Sequence, residues 1–252
     1  MADIAFNDPL GLLIIAAALL LGGILKGATG AGMPIIAVPV IAAVYDVRLA
    51  VIILVIPNCL TNLWQAFKYR DEELDRSFTL SLALSGAIGA GIGTFFLVWV
   101  PLSLLSLSMV CVVIIYIAMR LLKPAFHVSL PWARKTAWIA GATGGILQGS
   151  LGISAPAAVT FLNAVKLPRP TFIFTASVFF ATMCLTQFPV QLHYGLVTWN
   201  IVILGFLSLV PLLAGLPVGE WIGKRMSPII FDRVILSMLA VLAIKQIWNV
   251  LV

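Results

Sequence analysis

Three stretches of this chain contain no Asp, Glu, Lys or Arg: Ser77 to Met119, Thr136 to Val165 and Pro170 to Gly219, which are 43, 30 and 50 residues long. One bilayer crossing takes about 20 apolar residues. Runs of this length predict a polytopic, all-α membrane protein and exclude a water-soluble globular domain. Composition agrees, with 62% apolar residues, 10% charged residues and a mean hydropathy of +1.14. A net charge of +6 would suggest a nucleic-acid partner in a soluble chain. Here the basic residues sit in short loops between apolar runs, where they act as topology signals, so nucleic acid is not an expected partner and the lipid bilayer is. Cys59, Cys111 and Cys184 lie inside apolar runs without CxxC or Cys/His ligand spacing. They read as small core hydrophobes, and no metal or cofactor is expected. The stretch before Lys26 carries Asp3 and Asp8 but no Lys or Arg, so no cleavable signal peptide is expected.

An internal repeat organises the chain. Gly22 to Pro34 (GGILKGATGAGMP) lies on Gly144 to Pro156 (GGILQGSLGISAP) at an offset of 122, with seven of thirteen positions identical. Gly27 pairs with Gly149, Gly30 with Gly152, Pro34 with Pro156, and further on Gln65 with Gln187. Later the offset becomes 126, where Gly89 and Gly93 meet Gly215 and Gly219. Ordered agreement over both halves favours duplication over a chance match of glycine-rich segments. The expected domains are a first membrane repeat, residues 1–130, and a second, residues 131–252.

Charge orients the halves. Four loops hold twelve of the fifteen basic residues: Lys68, Arg70 and Arg76; Arg120, Lys123, Arg134 and Lys135; Lys166 and Arg169; Lys224, Arg225 and Arg233. With these loops cytoplasmic, the turns near Pro101 and from His193 to Leu196 are external. The first half then enters the membrane from outside and the second from inside, which is an inverted repeat. The seven Trp residues fall near span ends, as an aromatic belt requires.

The limbs Met33 to Val44 and Ala155 to Val165 have twelve and eleven residues, about 17 Å of helix against a hydrocarbon core of about 30 Å. Pro9 to Val44 and Thr136 to Val165 therefore read as re-entrant hairpins whose Gly-rich tips meet near the midplane from opposite sides. The expected crossings are Leu49 to Phe67, Phe78 to Trp99, Leu102 to Leu122, Thr171 to Pro189, Thr198 to Gly219 and Ile229 to Leu251. Ten crossings remain open if the limbs are extended by their flanks.

Broken helices at membrane depth must line a cavity or be buried in protein. A new helix starts after each tip, at Met33-Pro34 and Ala155-Pro156, and free N–H groups at helix starts favour an anion. The candidate binding residues at the tips are Lys26, Gly27, Thr29, Gly30 and Gly32, with Gln148, Gly149, Ser150, Gly152 and Ser154 in the second half. Lys26 asks most strongly for a reason, because a mid-bilayer lysine costs about 2.5–3.5 kcal/mol on insertion scales. Its bland alternative is snorkelling to water, and that of the hydroxyls is bonding to local backbone. Asn58, Thr61, Asn62 and Gln65 follow helical spacing on one face, and Thr182 is central in the matching span. Asn58, Asn62 and Thr182 are added as candidates, although polar residues in membrane helices also act as interhelical glue.

The two motifs GGILKGATGAGMP and GGILQGSLGISAP, one opening each half of a chain of this size, resemble the sulfite and organosulfonate exporter family (TauE/SafE). The resemblance covers nearly the whole chain. It implies secondary transport of a small anion, typically sulfite, sulfoacetate or another sulfonate, out of the cytoplasm across a prokaryotic inner membrane. Lys26 against Gln148 is a departure from symmetry, so whether both tips bind charge equally stays open.

A passive channel of aquaporin-like plan is the alternative, since it also pairs two re-entrant hairpins in an inverted repeat. Neither tip contains Asn-Pro-Ala. An enzyme is not expected: His127 and His193 lie in or beside opposite loops, and every Asp or Glu is near a terminus or a span end. A small anionic substrate is the expected soluble partner, and a homo-oligomer is left open.

Overall fold

The computed structural model describes residues 8–122, 127–225 and 236–245. Every regular element among them is helical. The first is α1 (Pro9–Thr29), started by Asp8, whose carboxylate accepts the Gly11 N–H at 2.9 Å, and by a proline in its first turn. It ends on Gly30 at φ 86°, whose N–H bonds the Lys26 carbonyl at 2.7 Å. Gly32 also has positive φ, 103°, and the reversed chain forms the short α2 (Met33–Val44).

Then come α3 (Val47–Lys68), α4 (Arg76–Trp99) and α5 (Leu102–Leu122). Asp46 caps α3 through the Leu49 N–H at 2.8 Å and Asp75 caps α4 through the Phe78 N–H at 2.9 Å. The next element, α6 (Leu130–Leu151), ends as α1 does: Gly152 takes φ 72° and its N–H bonds the Gln148 carbonyl at 2.9 Å. After this second tip the chain runs through a wide turn, Ala155–Val159, into α7 (Thr160–Val165). The remaining helices are α8 (Arg169–His193), α9 (Trp199–Leu207), α10 (Leu209–Arg225) and α11 (Leu236–Lys245).

Six of these stretches are long and apolar enough to cross a bilayer: α1, α3, α4, α5, α8 and the α9–α10 pair. Five match expected crossings. The sixth, α1, was expected as a hairpin limb, yet its 21 residues reach about 30 Å, long enough for a full crossing. The expected crossing from Ile229 to Leu251 lies outside the described residues except for α11. Met33–Val44 and Ala155–Val165 are short apolar helices, as their lengths predict.

The most buried spans, α3 and α8, pair antiparallel at the centre. Ser177 donates to Gln65 at 3.4 Å and Asn58 to Cys184 at 3.5 Å, which fixes their register. Around them α4 packs on α6 and α10 on α1, both through glycines. A Cβ on Gly145 or Gly149 would meet the carbonyls of Gly86 or Ala90, and one on Gly23 or Gly27 those of Leu212 or Leu216. The four contacts correspond one to one under the sequence offsets of 122 and 126. Each runs crosswise, from one half of the chain to the other.

Contacts also collect the charges. Arg134 pairs with Asp75, the Val128 N–H bonds the Ala164 carbonyl at 2.9 Å, and Tyr69, Arg169 and Lys224 line one cavity. This is the basic end of the bundle. At the opposite end Tyr45 donates to Asp8 at 3.1 Å, and Trp99 meets the Tyr194 ring edge-on. Arg48, a basic residue outside the four expected loops, is occupied there by the carbonyls closing α4: Leu97 at 2.9 Å, Val98 at 3.2 Å and Val100 at 3.1 Å. A cation at a helix C-terminus is stabilised by the free carbonyls and the helix dipole.

Candidate functional site

Asn58 lies at the middle of α3, one residue after Pro57. Asn62, one turn on, donates to both the Asn58 carbonyl at 2.7 Å and its side-chain oxygen at 2.8 Å. With its amide nitrogen held in this way, Asn62 presents its oxygen outward. That oxygen accepts a hydrogen bond from Lys26 Nζ at 2.7 Å. Lys26 is only 1% exposed, so the snorkelling alternative fails: the ammonium stays in the protein interior.

An ammonium has three N–H donors. Among the described residues, Asn62 accepts one of them and no carboxylate pairs with the charge. A buried cation without a counter-charge costs several kcal/mol, far more than one amide hydrogen bond returns. An anion beside the ammonium would offset that cost.

The turn carrying Lys26 is fixed from outside. Arg169, at the start of α8, donates to the carbonyls of Gly27 at 3.3 Å and Ala28 at 3.1 Å. Beside it a cavity of about 180 Å³ is lined by Gln65, Tyr69, Arg169, Ile173, Glu220 and Lys224, with Gly27 and Gly30 behind. Gln65 is one turn from Asn62 on α3, so the cavity approaches the Lys26 centre from the basic end.

The two tips do not share one volume. A Cβ on Gly30 would meet Ile173, in the first turns of α8, whereas one on Gly152 would meet Val38 and Val51, the latter in the first turns of α3. In the antiparallel register these levels are on the order of 27 Å apart. The expectation that the tips meet at the midplane is replaced by a centre that the long Lys26 side chain reaches from the first tip. The reason is the length of α1 and α6, 21 and 22 residues, about 30 Å of helix each rather than the half-depth limbs expected.

The other candidates divide accordingly. Lys26, Asn58 and Asn62 come together. Gly27 and Gly149 are packing positions with no room for a side chain. Thr29 is exposed, bonds the local carbonyls of Leu25 and Ala31, and lines an open cleft of about 260 Å³ with Asn163, Lys166 and Arg169. Ser150 bonds the Ile146 carbonyl at 2.7 Å, and Thr182 bonds carbonyls of its own helix and of Ala83. Gly30, Gly32 and Gly152 form the turns themselves. Gln148 and Ser154 are buried, and Gln148 Oε1 and Ser154 Oγ have no hydrogen-bond partner among the described residues.

Sequence reading missed Arg169, whose role as a cap requires knowing that the start of α8 lies against the end of α1. It also left Gln187, noted only as the repeat partner of Gln65, and Gln191 out of the candidates, and both are fully buried. Their signal was present as two amides four residues apart in an apolar span. Among the described residues, no three His, Cys, Asp or Glu side chains gather as a metal centre would need.

The family model described as Sulfite exporter TauE/SafE matches residues 14–246. No curated protein and no solved structure matches the chain.

Proposed function

The chain belongs to the sulfite exporter TauE/SafE family, a family of transporters rather than enzymes, and on that premise we propose that it exports a small sulfur oxyanion, sulfite or a sulfonate such as sulfoacetate. The anion binds in the bundle interior at Lys26, with Asn62 and Asn58 beside it. The observation that carries this reading is the buried Lys26 ammonium with an amide oxygen as its described partner and no carboxylate. Sulfite and sulfonate oxygens accept hydrogen bonds from an ammonium and from amide nitrogens, and their charge balances the lysine.

The anion enters from the basic end, which we take as cytoplasmic, through the cavity lined by Gln65, Arg169 and Lys224. Cations at that mouth raise the local anion concentration. The two halves, residues 1–130 and 131–252, are an inverted repeat of an inner-membrane protein. The crosswise glycine contacts of α1 with α10 and of α4 with α6 support this duplication.

The test is binding of ³⁵S-sulfite and of sulfoacetate to the purified protein, with flux of the same anions in proteoliposomes. Saturable binding and flux, both weakened by Lys26→Gln, are expected. Osmotic swelling without anion flux would instead favour a passive pore.

A further inference from the structure

The α3–α8 interface carries a polar strip from the basic end to its middle. From the basic end it runs from the Gln65–Ser177 contact, past Asn62 and Lys26, to Asn58 and Cys184. Gln187 and Gln191 continue the same face of α8, three and seven residues beyond Cys184. Gln187 Nε2 reaches the Gly149 carbonyl at 3.5 Å, which turns this face toward the last turn of α6, where Gln148 lies. Gln191 is one turn nearer His193, at the level where the second tip packs on Val51.

Hydrogen bonding stops midway along this seam. Gln187 and Gln191 are fully buried and Gln148 nearly so. Gln148 Oε1, Gln187 Oε1 and both amide atoms of Gln191 nevertheless have no partner among the described residues, and neither does Ser154 Oγ in the second tip. Apolar side chains of similar size would fill these positions without leaving polar atoms unpaired. Such amides persist where something that is not protein supplies their partners.

We propose that Gln148, Gln187, Gln191 and Ser154 form a second, uncharged subsite for an oxyanion, between the Lys26 centre and the His193 end of α8. Amide N–H and hydroxyl groups donate to oxyanion oxygens, while amide oxygens accept from the water that accompanies them. With no fixed positive charge among these four, the subsite solvates an anion that has left Lys26 without trapping it. It is the exit station of the path whose charged station is Lys26. Its ligand and direction rest on the transporter reading, but the polar seam does not.

The experiment has two arms. In the first, Gln191→Leu and Gln187→Leu are reconstituted and ³⁵S-sulfite flux is measured beside equilibrium binding to the purified protein. Flux falls at least tenfold, binding at Lys26 stays within about twofold, and the melting temperature of Gln191→Leu does not drop. Flux equal to the parent's overturns the subsite. In the second, Gln191→Cys is placed in a chain carrying Cys59→Ser, Cys111→Ser and Cys184→Ser. It is exposed to the sulfonate-bearing thiol reagent MTSES, which does not cross membranes. The introduced thiol is modified despite its burial, and absence of modification overturns the subsite whatever the parent transports. Modification in a protein that neither binds nor moves sulfite or sulfoacetate overturns the transporter reading and leaves the polar path standing.

Discussion

The Lys26 ammonium donates to Asn62 at 2.7 Å across 36 residues of sequence, and Asn62 is itself held by Asn58 one turn earlier on α3. The lysine is therefore positioned by a rigid amide pair rather than by a carboxylate.

Replacing that charge isolates its contribution. Lys26→Gln, which gives the first tip the residue of the second, should weaken sulfite or sulfoacetate binding by about 1.5–3 kcal/mol, the worth of a charge-assisted hydrogen bond. The protein should remain folded and inserted, since the variant removes a buried cation. Titration calorimetry on the purified protein measures this, and unchanged affinity would assign the lysine a structural role.

Orientation can be read with reagents that label from one side. Cysteines replacing Pro101 and Gly195 should react from outside, and one replacing Glu72 should not. The opposite pattern reverses the direction of the path.

The glycine contacts predict matched effects at positions far apart in sequence. Gly27→Ala and Gly149→Ala each force a methyl group against a neighbouring backbone and should destabilise by about 1–3 kcal/mol. Gly195→Ala, in open space at φ 68°, pays only the left-handed backbone penalty of about 1–2 kcal/mol. Thermal melts in detergent compare the three, and a large effect at only one of Gly27 and Gly149 would contradict the equivalence of the two packings.

Asp75 ties acid stability to the basic end. The Phe78 N–H, and then the Arg134 side chain, hold its carboxyl below the ordinary carboxylate value. The stabilisation is complete above that ordinary value and is lost as pH falls from it through the lower folded value. Asp75→Ala should cost about 0.5–2 kcal/mol at neutral pH, as for loss of an N-cap. Melts from neutral to acid pH should show variant and parent converging at the acid end, and a constant gap would exclude the ionised carboxylate as the cause.

Much of this was legible in the sequence because membrane signals are long. Five of the six candidate crossings and the two positive-φ glycine turns follow from charge-free runs and paired glycines. Lys26 stands out because ionisable residues are expensive in hydrocarbon. The depth of the tips was not legible: the twelve residues of α2 looked like half of a hairpin, and only the capping of α1 by Asp8 and Gly30 shows its other limb to be long enough to cross. Nor could spacing along one helix reveal that Asn62 faces α1, or that Gln187 faces α6.

Energy coupling follows from what the interior contains. Among the described residues, Glu220 lines the cavity at the basic end, and no carboxylate meets Lys26. Expelling an anion from a negative cytoplasm gains about 2.3 kcal/mol per charge per 100 mV. Net sulfite or sulfoacetate flux in proteoliposomes should respond to an imposed potential and persist without proton or sodium gradients. Strict dependence on either gradient would overturn uncoupled movement.

The crosswise glycine contacts bear on ancestry. The groove that receives α1 is on α10, and the groove that receives α6 is on α4, so neither half can bury its own arm. A polypeptide of half this length would expose a backbone-lined groove and an unmatched arm. On the proposed inverted-repeat reading, it would satisfy both by clasping a second copy inserted upside down. Fusion of two such copies would turn a handshake between molecules into a fold within one, and the mismatch of Lys26 with Gln148 would then mark where the two hands ceased to be interchangeable.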